Sequence, residues 1–201
     1  SQISQYWRVS VVDLTTSTQS DLAELVNASV AKSGEVIAAE FQSNGRGRLD
    51  RTFEAPPQSA LLFSFYIAPQ RARSDWSFIS FLAALAMREV ITENLAENIT
   101  LKWPNDILIG DKKVAGLLAQ QIGDGVIVGI GLNVAMGADE LPVPTATSLA
   151  LAGSNNLDRN LLLSAFLNRF EDIFKSWDSG NEFLEKFKGP RFSPRAFKLI
   201  T

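Results

Sequence analysis

A glycine–arginine segment, NGRGRLDR, occupies residues 44–51 and concentrates three cationic side chains in eight positions. Its three arginines, Arg46, Arg48 and Arg51, are like charges that repel one another, and the intervening glycines remove side chains that could hold the segment in place. The planar guanidinium fork suits carboxylate and phosphate oxygens. The segment therefore indicates an anionic ligand, and we expect it to be mobile in the free protein and ordered by that ligand.

The composition restricts the remaining chemistry. The 201 residues include no histidine, which excludes a Ser-His-Asp triad and most zinc sites, and no cysteine, which excludes thiol chemistry. Arginine, lysine, carboxylates, hydroxyls, backbone amides and a possible Mg²⁺ remain. Transfer at phosphorus fits these groups, because it depends mostly on positioning and on stabilising charge.

The net charge and the length of the apolar runs limit which binding partners and which cellular location we expect. The net charge of −3 argues against a nucleic-acid surface, so we expect no DNA partner. The longest apolar run, residues 78–87, is interrupted by Ser80 and is too short to span a bilayer. The N-terminal residues lack the charged-then-apolar pattern of a signal peptide. We therefore expect no membrane association and a cytoplasmic location.

Three further motifs carry polar groups or glycines at informative positions. TSTQ, residues 16–19, places hydroxyls and an amide at a strand-to-helix turn, where a plain helix cap is the alternative. LKWPNDILIGDKKVAGLL, residues 101–118, is consistent with an ordinary hairpin that carries a surface lysine. In VIVGIGLNV, residues 126–134, two glycines at alternate positions share one face of a strand, which marks close approach of a ligand or of another backbone.

Hydrophobic periodicity predicts the elements that position these motifs. A helix follows Ser17 or Thr18, with apolar spacing from Leu22 to Val30, and further helices are predicted over residues 76–87 and 160–178. Short connections join the later strands, so those strands must be antiparallel neighbours. The predicted strands cover residues 7–14, 35–42, 60–67, 99–103, 106–110, 113–122 and 125–134. The sequence therefore predicts an α+β fold, with a largely antiparallel mixed sheet backed by helices.

Taken together, the four motifs resemble the catalytic domain of the biotin–protein ligases, in the monofunctional form without an N-terminal winged helix. The shared order is a hydroxyl turn, Q-x-x-G-R-G-R, K-W-P-N-D, K-x-x-G and G-x-G-x-N, over residues 16–133. The resemblance implies a fold like that of class II synthetases and biotin–lipoate ligases. Residues 1–188 would form the biotin- and ATP-binding catalytic domain, and residues 189–201 a short tail resembling the start of a truncated SH3-like domain.

The resemblance also implies an activity. Such an enzyme uses ATP, with Mg²⁺, to convert biotin to biotinyl-5′-AMP, and then transfers biotin to a lysine of the biotin-carrier domain of a carboxylase. A monomer or homodimer is expected. Two alternatives stay open: a lipoate- or octanoate-type ligase of the same superfamily, and a non-catalytic module that binds biotin or an adenylate.

Roles follow residue by residue from the same resemblance. The catalytic residues would be Arg48, Lys113 and Asp106, the last of them orienting Lys113 or the incoming amine. ATP would be bound by Arg48, Arg51, Phe53, Lys113 and Asn133, with no protein side chain assigned as a metal ligand and Mg²⁺ arriving with ATP near Asn133. The biotin-binding residues would be Ser17, Thr18, Gln19, Gln42, Gly45, Arg46, Gly47, Arg48, Lys113, Gly116, Gly129 and Gly131.

Overall fold

The computed structural model describes residues 2–47, 52–102 and 105–180, and its main feature there is a mixed sheet of seven strands. The strands are β1 (Arg8–Thr15), β2 (Glu35–Gln42), β3 (Gly45–Arg46), β4 (Thr52–Phe53), β5 (Ala60–Ile67), β6 (Ile99–Lys102), β7 (Asp106–Ile109), β8 (Lys112–Ile122) and β9 (Gly125–Asn133). The helices are α1 (Thr18–Asn27), α2 (Phe78–Asn94) and α3 (Arg159–Asp178). Strands β3 and β4 form a separate two-stranded ladder.

The order of the strands in the sheet is β1-β2-β5-β9-β8-β7-β6. Strands β1 and β2 are parallel and are joined through α1, whereas every other ladder in the sheet is antiparallel. The short turns from β6 to β9 produce the antiparallel run that their lengths require. The predicted α+β fold with a largely antiparallel mixed sheet is confirmed.

The predicted elements match the observed ones closely, with three differences. Helix α2 continues beyond Met87 to Asn94, because Val90 and Ile91 extend its buried surface. Helix α1 ends at Asn27, and Ser29 has a φ of 58°, so Val30 lies outside the helix and is exposed. The β3–β4 ladder was not predicted, since its two-residue strands carry no periodicity that a sequence pattern could reveal.

The main core lies between the sheet and the helices α2 and α3. Because side chains alternate along a strand, Phe63 and Phe65 of β5 point to the same face, where they meet Phe166 and Phe170 of α3. The ring centroids of Phe65 and Phe170 are 4.7 Å apart, and those of Phe63 and Phe166 are 5.1 Å apart. This aromatic cluster packs β5 against α3 on one face of the sheet.

The opposite face of the sheet carries α1 and a smaller apolar cluster. There Leu22 of α1 packs with Ile37, Tyr66 and Ile127 of three neighbouring strands. The α1 side of the sheet is thus only partly covered by a helix, and the remainder is available for a site. No helix in the described ranges is long and apolar enough to cross a membrane. The predicted domain boundary at residue 188 and the tail 189–201 lie outside the described residues.

The packing of α3 against the sheet can be tested by a substitution in the aromatic cluster. Replacing the fully buried Phe166 with alanine should lower the free energy of unfolding by about 3–5 kcal/mol, because the site cannot collapse around the lost ring. Leu161→Ala, on the same helix but 48% exposed, is the matched control and should change that free energy by no more than about 0.5 kcal/mol. Urea denaturation followed by circular dichroism measures both, and equal losses would contradict the packing described.

Candidate active site

A cavity of about 160 Å³ opens on the α1 side of the sheet, where the first turn of α1 approaches β9 and β8. It gathers residues from all four motifs that the sequence singled out. The predicted site residues in its lining are Ser17, Thr18, Gln19, Gln42, Arg46, Gly47, Phe53, Asp106, Lys113, Gly116, Gly129 and Gly131.

The floor of the cavity is made of backbone. Gly131 of β9 pairs with Gly116 of β8, and Gly116 pairs in turn with Asp106 of β7, so these positions form one row across three strands. A Cβ added to Gly131 would lie 2.7 Å from ring atoms of Phe53, and one added to Gly129 would lie 2.4 Å from Oε1 of Gln19. A side chain at these positions would therefore collide with Phe53 or Gln19, both of which line the cavity.

The first turn of α1 contributes the polar groups at one side of this floor. Ser17 occupies the N-cap position and is buried, yet within the described residues its hydroxyl does not cap the helix. That function belongs to Gln42, whose Oε1 accepts from the Thr18 amide at 2.8 Å and from Thr18 Oγ1 at 3.0 Å. The next residue, Gln19, donates from Nε2 to Oε1 of Gln120 at 3.4 Å. Hydrogen bonds therefore connect the hydroxyl turn to β2 through Gln42 and to β8 through Gln120.

Lys113 reaches the cavity because of an irregularity in the sheet. Ile107 pairs with Ala115 and Leu108 with Lys113, so Val114 is an extra residue on β8. Such a bulge reverses the alternation of side chains, which places Lys113 on the same face as Gly116 three residues later. The backbone of Lys113 is held on its other side, since its amide donates to Thr145 O and its carbonyl accepts from Thr147 N, both at 2.8 Å.

The ammonium group of Lys113 forms an ion pair with Asp106, with 2.8 Å between Nζ and Oδ1. Both side chains are partly exposed, at 39% for Lys113 and 27% for Asp106, so a ligand in the cavity has access to the pair. The two residues that were predicted to act together are in contact. The pair supplies a cation next to the glycine floor, and its carboxylate compensates that charge when no ligand is bound.

Seven lining residues in the described part of the chain have no predicted role, and two of them, Asn105 and Ser64, form hydrogen bonds that shape the cavity. Asn105 donates from Nδ2 to Leu117 O at 2.8 Å, and its backbone carbonyl accepts from Leu117 N at 2.9 Å. These two bonds hold the start of β7 against β8 beside Asp106. Ser64 of β5 pairs with Gly129 of β9, and the Oγ of Ser64 is 2.8 Å from Thr18 Oγ1. A lone serine within the apolar strand ALLFSFYI was a signal that could have identified it.

The structure does not bring all of the predicted residues together. Within residues 2–47, 52–102 and 105–180, the cavity lining contains neither Gly45 nor Asn133. Gly45 is buried in β3 against the carbonyl of Phe53, and Asn133 is buried with its Nδ2 bound to Thr147 O at 2.9 Å. Arg48 and Arg51 lie outside the described residues, as does the expected ordering of their segment.

A resident metal site is not evident in the described part of the chain. No group of three or more acidic residues there could hold an ion. The donor set of the cavity consists of hydroxyls, amides, one ion pair and the guanidinium of Arg46. These groups suit an organic anion rather than a bare cation.

Comparison with known proteins places this arrangement in a family. Residues 11–136 match the model of the biotin/lipoate A/B protein ligase family. The biotin–[acetyl-CoA-carboxylase] ligase of Mycobacterium tuberculosis is 34% identical over 183 residues, covering 87% of this chain and 67% of the relative. The bifunctional ligase/repressor BirA of Bacillus subtilis is 31% identical over 173 residues, covering 82% of this chain and 53% of the relative. The chain thus spans from about half to two thirds of these relatives.

Solved structures agree with the sequence relatives. The biotin protein ligase from Aquifex aeolicus, in complex with biotin and ATP, aligns with a TM-score of 0.76 at 30% identity over 89% of this chain and 76% of that one. The Leishmania major ligase in complex with biotinyl-5-AMP aligns with a TM-score of 0.76 at 24% identity, over 96% of this chain and 84% of that one, and shows the same fold. The chain belongs to the biotin/lipoate A/B protein ligase family.

Proposed function

We propose that the protein activates biotin with ATP to form biotinyl-5′-AMP and then transfers the biotinyl group to a lysine of a carboxylase biotin-carrier domain. The observation that supports this most is the polarity of one cavity. Neutral hydroxyl and amide groups lie beside Gly129, and an ion pair lies beside Gly116. The apolar side chains of Leu118 and Phe53 also line the cavity. One strand spacing and two residues separate these glycines, or about 8 Å. Biotin has the same layout: a neutral ring, an apolar chain and a carboxylate.

The first step needs no histidine. A carboxylate oxygen of biotin attacks the α-phosphorus of ATP, a new P–O bond forms, and the bond to the bridging oxygen of pyrophosphate breaks. The nucleophile is already an anion, so the protein must bring two anions together rather than remove a proton. Lys113 would stabilise the charge that moves during this attack, with a point charge inside a partly enclosed site. Mg²⁺ would be held by the phosphates of ATP.

In the second step, Asp106 would lie beside the reacting carbonyl. The carrier lysine attacks the carbonyl carbon of the mixed anhydride, the C–O bond to AMP breaks, and the nitrogen loses a proton as the amide forms. Asp106 would orient either Lys113 or that incoming amine, because its carboxylate already accepts from an ammonium group at 2.8 Å. A bound adenylate that engages Lys113 would leave the carboxylate available to the second amine.

The alternatives receive less support. The family includes lipoate ligases, but the curated relatives from M. tuberculosis and B. subtilis are named as biotin ligase and as BirA, and the A. aeolicus structure contains biotin and ATP. A non-catalytic binding module would have no need for a bulge that directs Lys113 into the cavity. Three expectations stay predictions: the binding of ATP by Arg48, Arg51 and Phe53, the cytoplasmic location, and the monomeric or homodimeric state.

The activity is tested by exchange of labelled pyrophosphate into ATP. The protein should catalyse this exchange in the presence of biotin, and it should not do so with lipoate or octanoate, because the neutral hydrogen-bonding end of the cavity suits a polar ring. Transfer to a purified biotin-carrier domain then tests the second step. Exchange that depends on lipoate or octanoate but not on biotin would overturn the assignment.

The role of Lys113 is tested by Lys113→Ala. The rate of biotin-dependent exchange should fall by about 10²–10³-fold, because the charge that Lys113 stabilises develops mainly in the transition state. The dissociation constant for biotin, measured by calorimetry, should change by less than about tenfold. Lys112→Ala is the matched control, since Lys112 is the exposed neighbour outside the cavity. A variant with normal turnover and greatly weakened biotin binding would show that the role is misassigned.

The glycine floor is tested by Gly129→Ala. The added methyl group would lie 2.4 Å from Gln19 Oε1, so Gln19 must move into the cavity, and the KM for biotin should rise by about tenfold or more. Gly137→Ala provides the comparison, because its Cβ would meet only Glu140 Oε2 at an ordinary 3.5 Å. A Gly129→Ala variant that binds biotin normally would mean that the ligand does not lie along this floor.

A further inference from the structure

The buried serine of β5 belongs to a hydrogen-bond chain whose direction is fixed by the structure. Ser64 has no exposed surface, contributes to the cavity lining and lies outside every motif of the sequence. It contacts Thr18, which contacts Gln42, and the oxygen–oxygen distances are 2.8 Å and 3.0 Å. Hydroxyl groups can donate or accept, so the direction of each bond must be found from the chemistry of its neighbours.

The amide of Gln42 determines the first direction. Its terminal atom beside α1 lies 2.8 Å from the backbone nitrogen of Thr18, which can only donate. The atom of Gln42 at that position must therefore be the carbonyl oxygen, since an NH₂ group would place two donors against each other. The same oxygen lies 3.0 Å from Thr18 Oγ1. Because it can only accept, Thr18 must donate its single hydroxyl proton to Gln42.

The second direction follows from the first. With its proton on the side of Gln42, Thr18 Oγ1 can only accept from Ser64, which must donate across the 2.8 Å contact. Protons therefore run from Ser64 to Thr18 to Gln42. Thr18 Oγ1 keeps one lone pair for the cavity that it lines, and Gln42 keeps the two protons of its Nε2. Adjacent bonds in such a chain polarise and strengthen one another.

We propose that Ser64 is a positioning residue of the biotin subsite, which acts by donating to Thr18 and thereby holds in place the Thr18 Oγ1 that Gln42 makes an acceptor for the ligand. This inference rests on the proposed function. The ligand group against Thr18 would be an N–H of the cyclic urea, and the donors of Gln42 would face an acceptor. Ser64 itself need not touch biotin, because its hydroxyl proton is already used by Thr18.

Ser64→Ala tests this role in the pyrophosphate exchange assay. The KM for biotin should rise by about three- to tenfold, because Thr18 loses a donor inside a buried network, whereas kcat and the KM for ATP should stay within about twofold. Ser64→Cys, which keeps a weaker donor of similar shape, should give an intermediate KM. Ser164→Ala is the matched control, since Ser164 is equally buried on α3 and donates only to Leu161 O, at 3.0 Å. Its KM for biotin should not change.

A double-mutant cycle separates action through Thr18 from general loosening of the sheet. In a Thr18→Val background, which removes the hydroxyl and keeps the branched shape, Ser64→Ala should change the KM for biotin by less than about twofold. Multiplicative effects of the two substitutions would overturn the proposal, as would an unchanged KM in the single Ser64→Ala variant. A wild-type protein without biotin-dependent exchange would instead overturn the proposed function, so the two failures are distinguishable.

Discussion

The site depends on glycines that leave part of one face of the sheet without side chains, while the other face of the sheet is packed against helices. Strands β5 and β9 pair along their whole length, and the α2 and α3 helices cover them from one side with the aromatic cluster. On the opposite side, Gly116 of β8 pairs with Gly131 of β9, and Gly129 lies two residues before Gly131, so these three positions carry no side chain. Glycine weakens a strand, so this arrangement is stable only because burial on the opposite face offsets the loss. The aromatic core therefore makes the cavity possible.

A second constraint governs the cation. With regular alternation, Lys113 would lie on the face opposite Gly116. The extra residue Val114 brings both positions to the same face of the sheet. The bulge places a partly buried ammonium group in the cavity, and Asp106 at 2.8 Å supplies the counter-charge. Asn105 holds the strand that carries Asp106 through two hydrogen bonds to Leu117. Position and charge at this point are thus set by neighbouring residues of one hairpin.

Much of the fold could be predicted from the sequence, because strands such as 35–42 and 60–67 are bounded by turns and carry clear apolar patterns. The association of Lys113 with Asp106 was expected only from the family resemblance, because regular alternation would direct the two side chains to opposite faces and the bulge at Val114 was not predicted. The bond from Ser64 to Thr18 was not predicted, because it joins residues 46 positions apart and depends on the register of β5 against β9. The capping of α1 by Gln42 was missed for the same reason, as local patterns favour a cap from Ser17.

The position of Gln42 has a consequence for how this site could change. One side chain both caps α1, through its amide oxygen, and lines the cavity. A library selected only for thermal stability would therefore retain Gln42 even if it were never exposed to biotin. Conversely, laboratory evolution toward a different ring would have to replace a helix cap whenever it replaced this contact. Ligand preference and local folding are inherited together at this residue, which limits the routes by which specificity can drift.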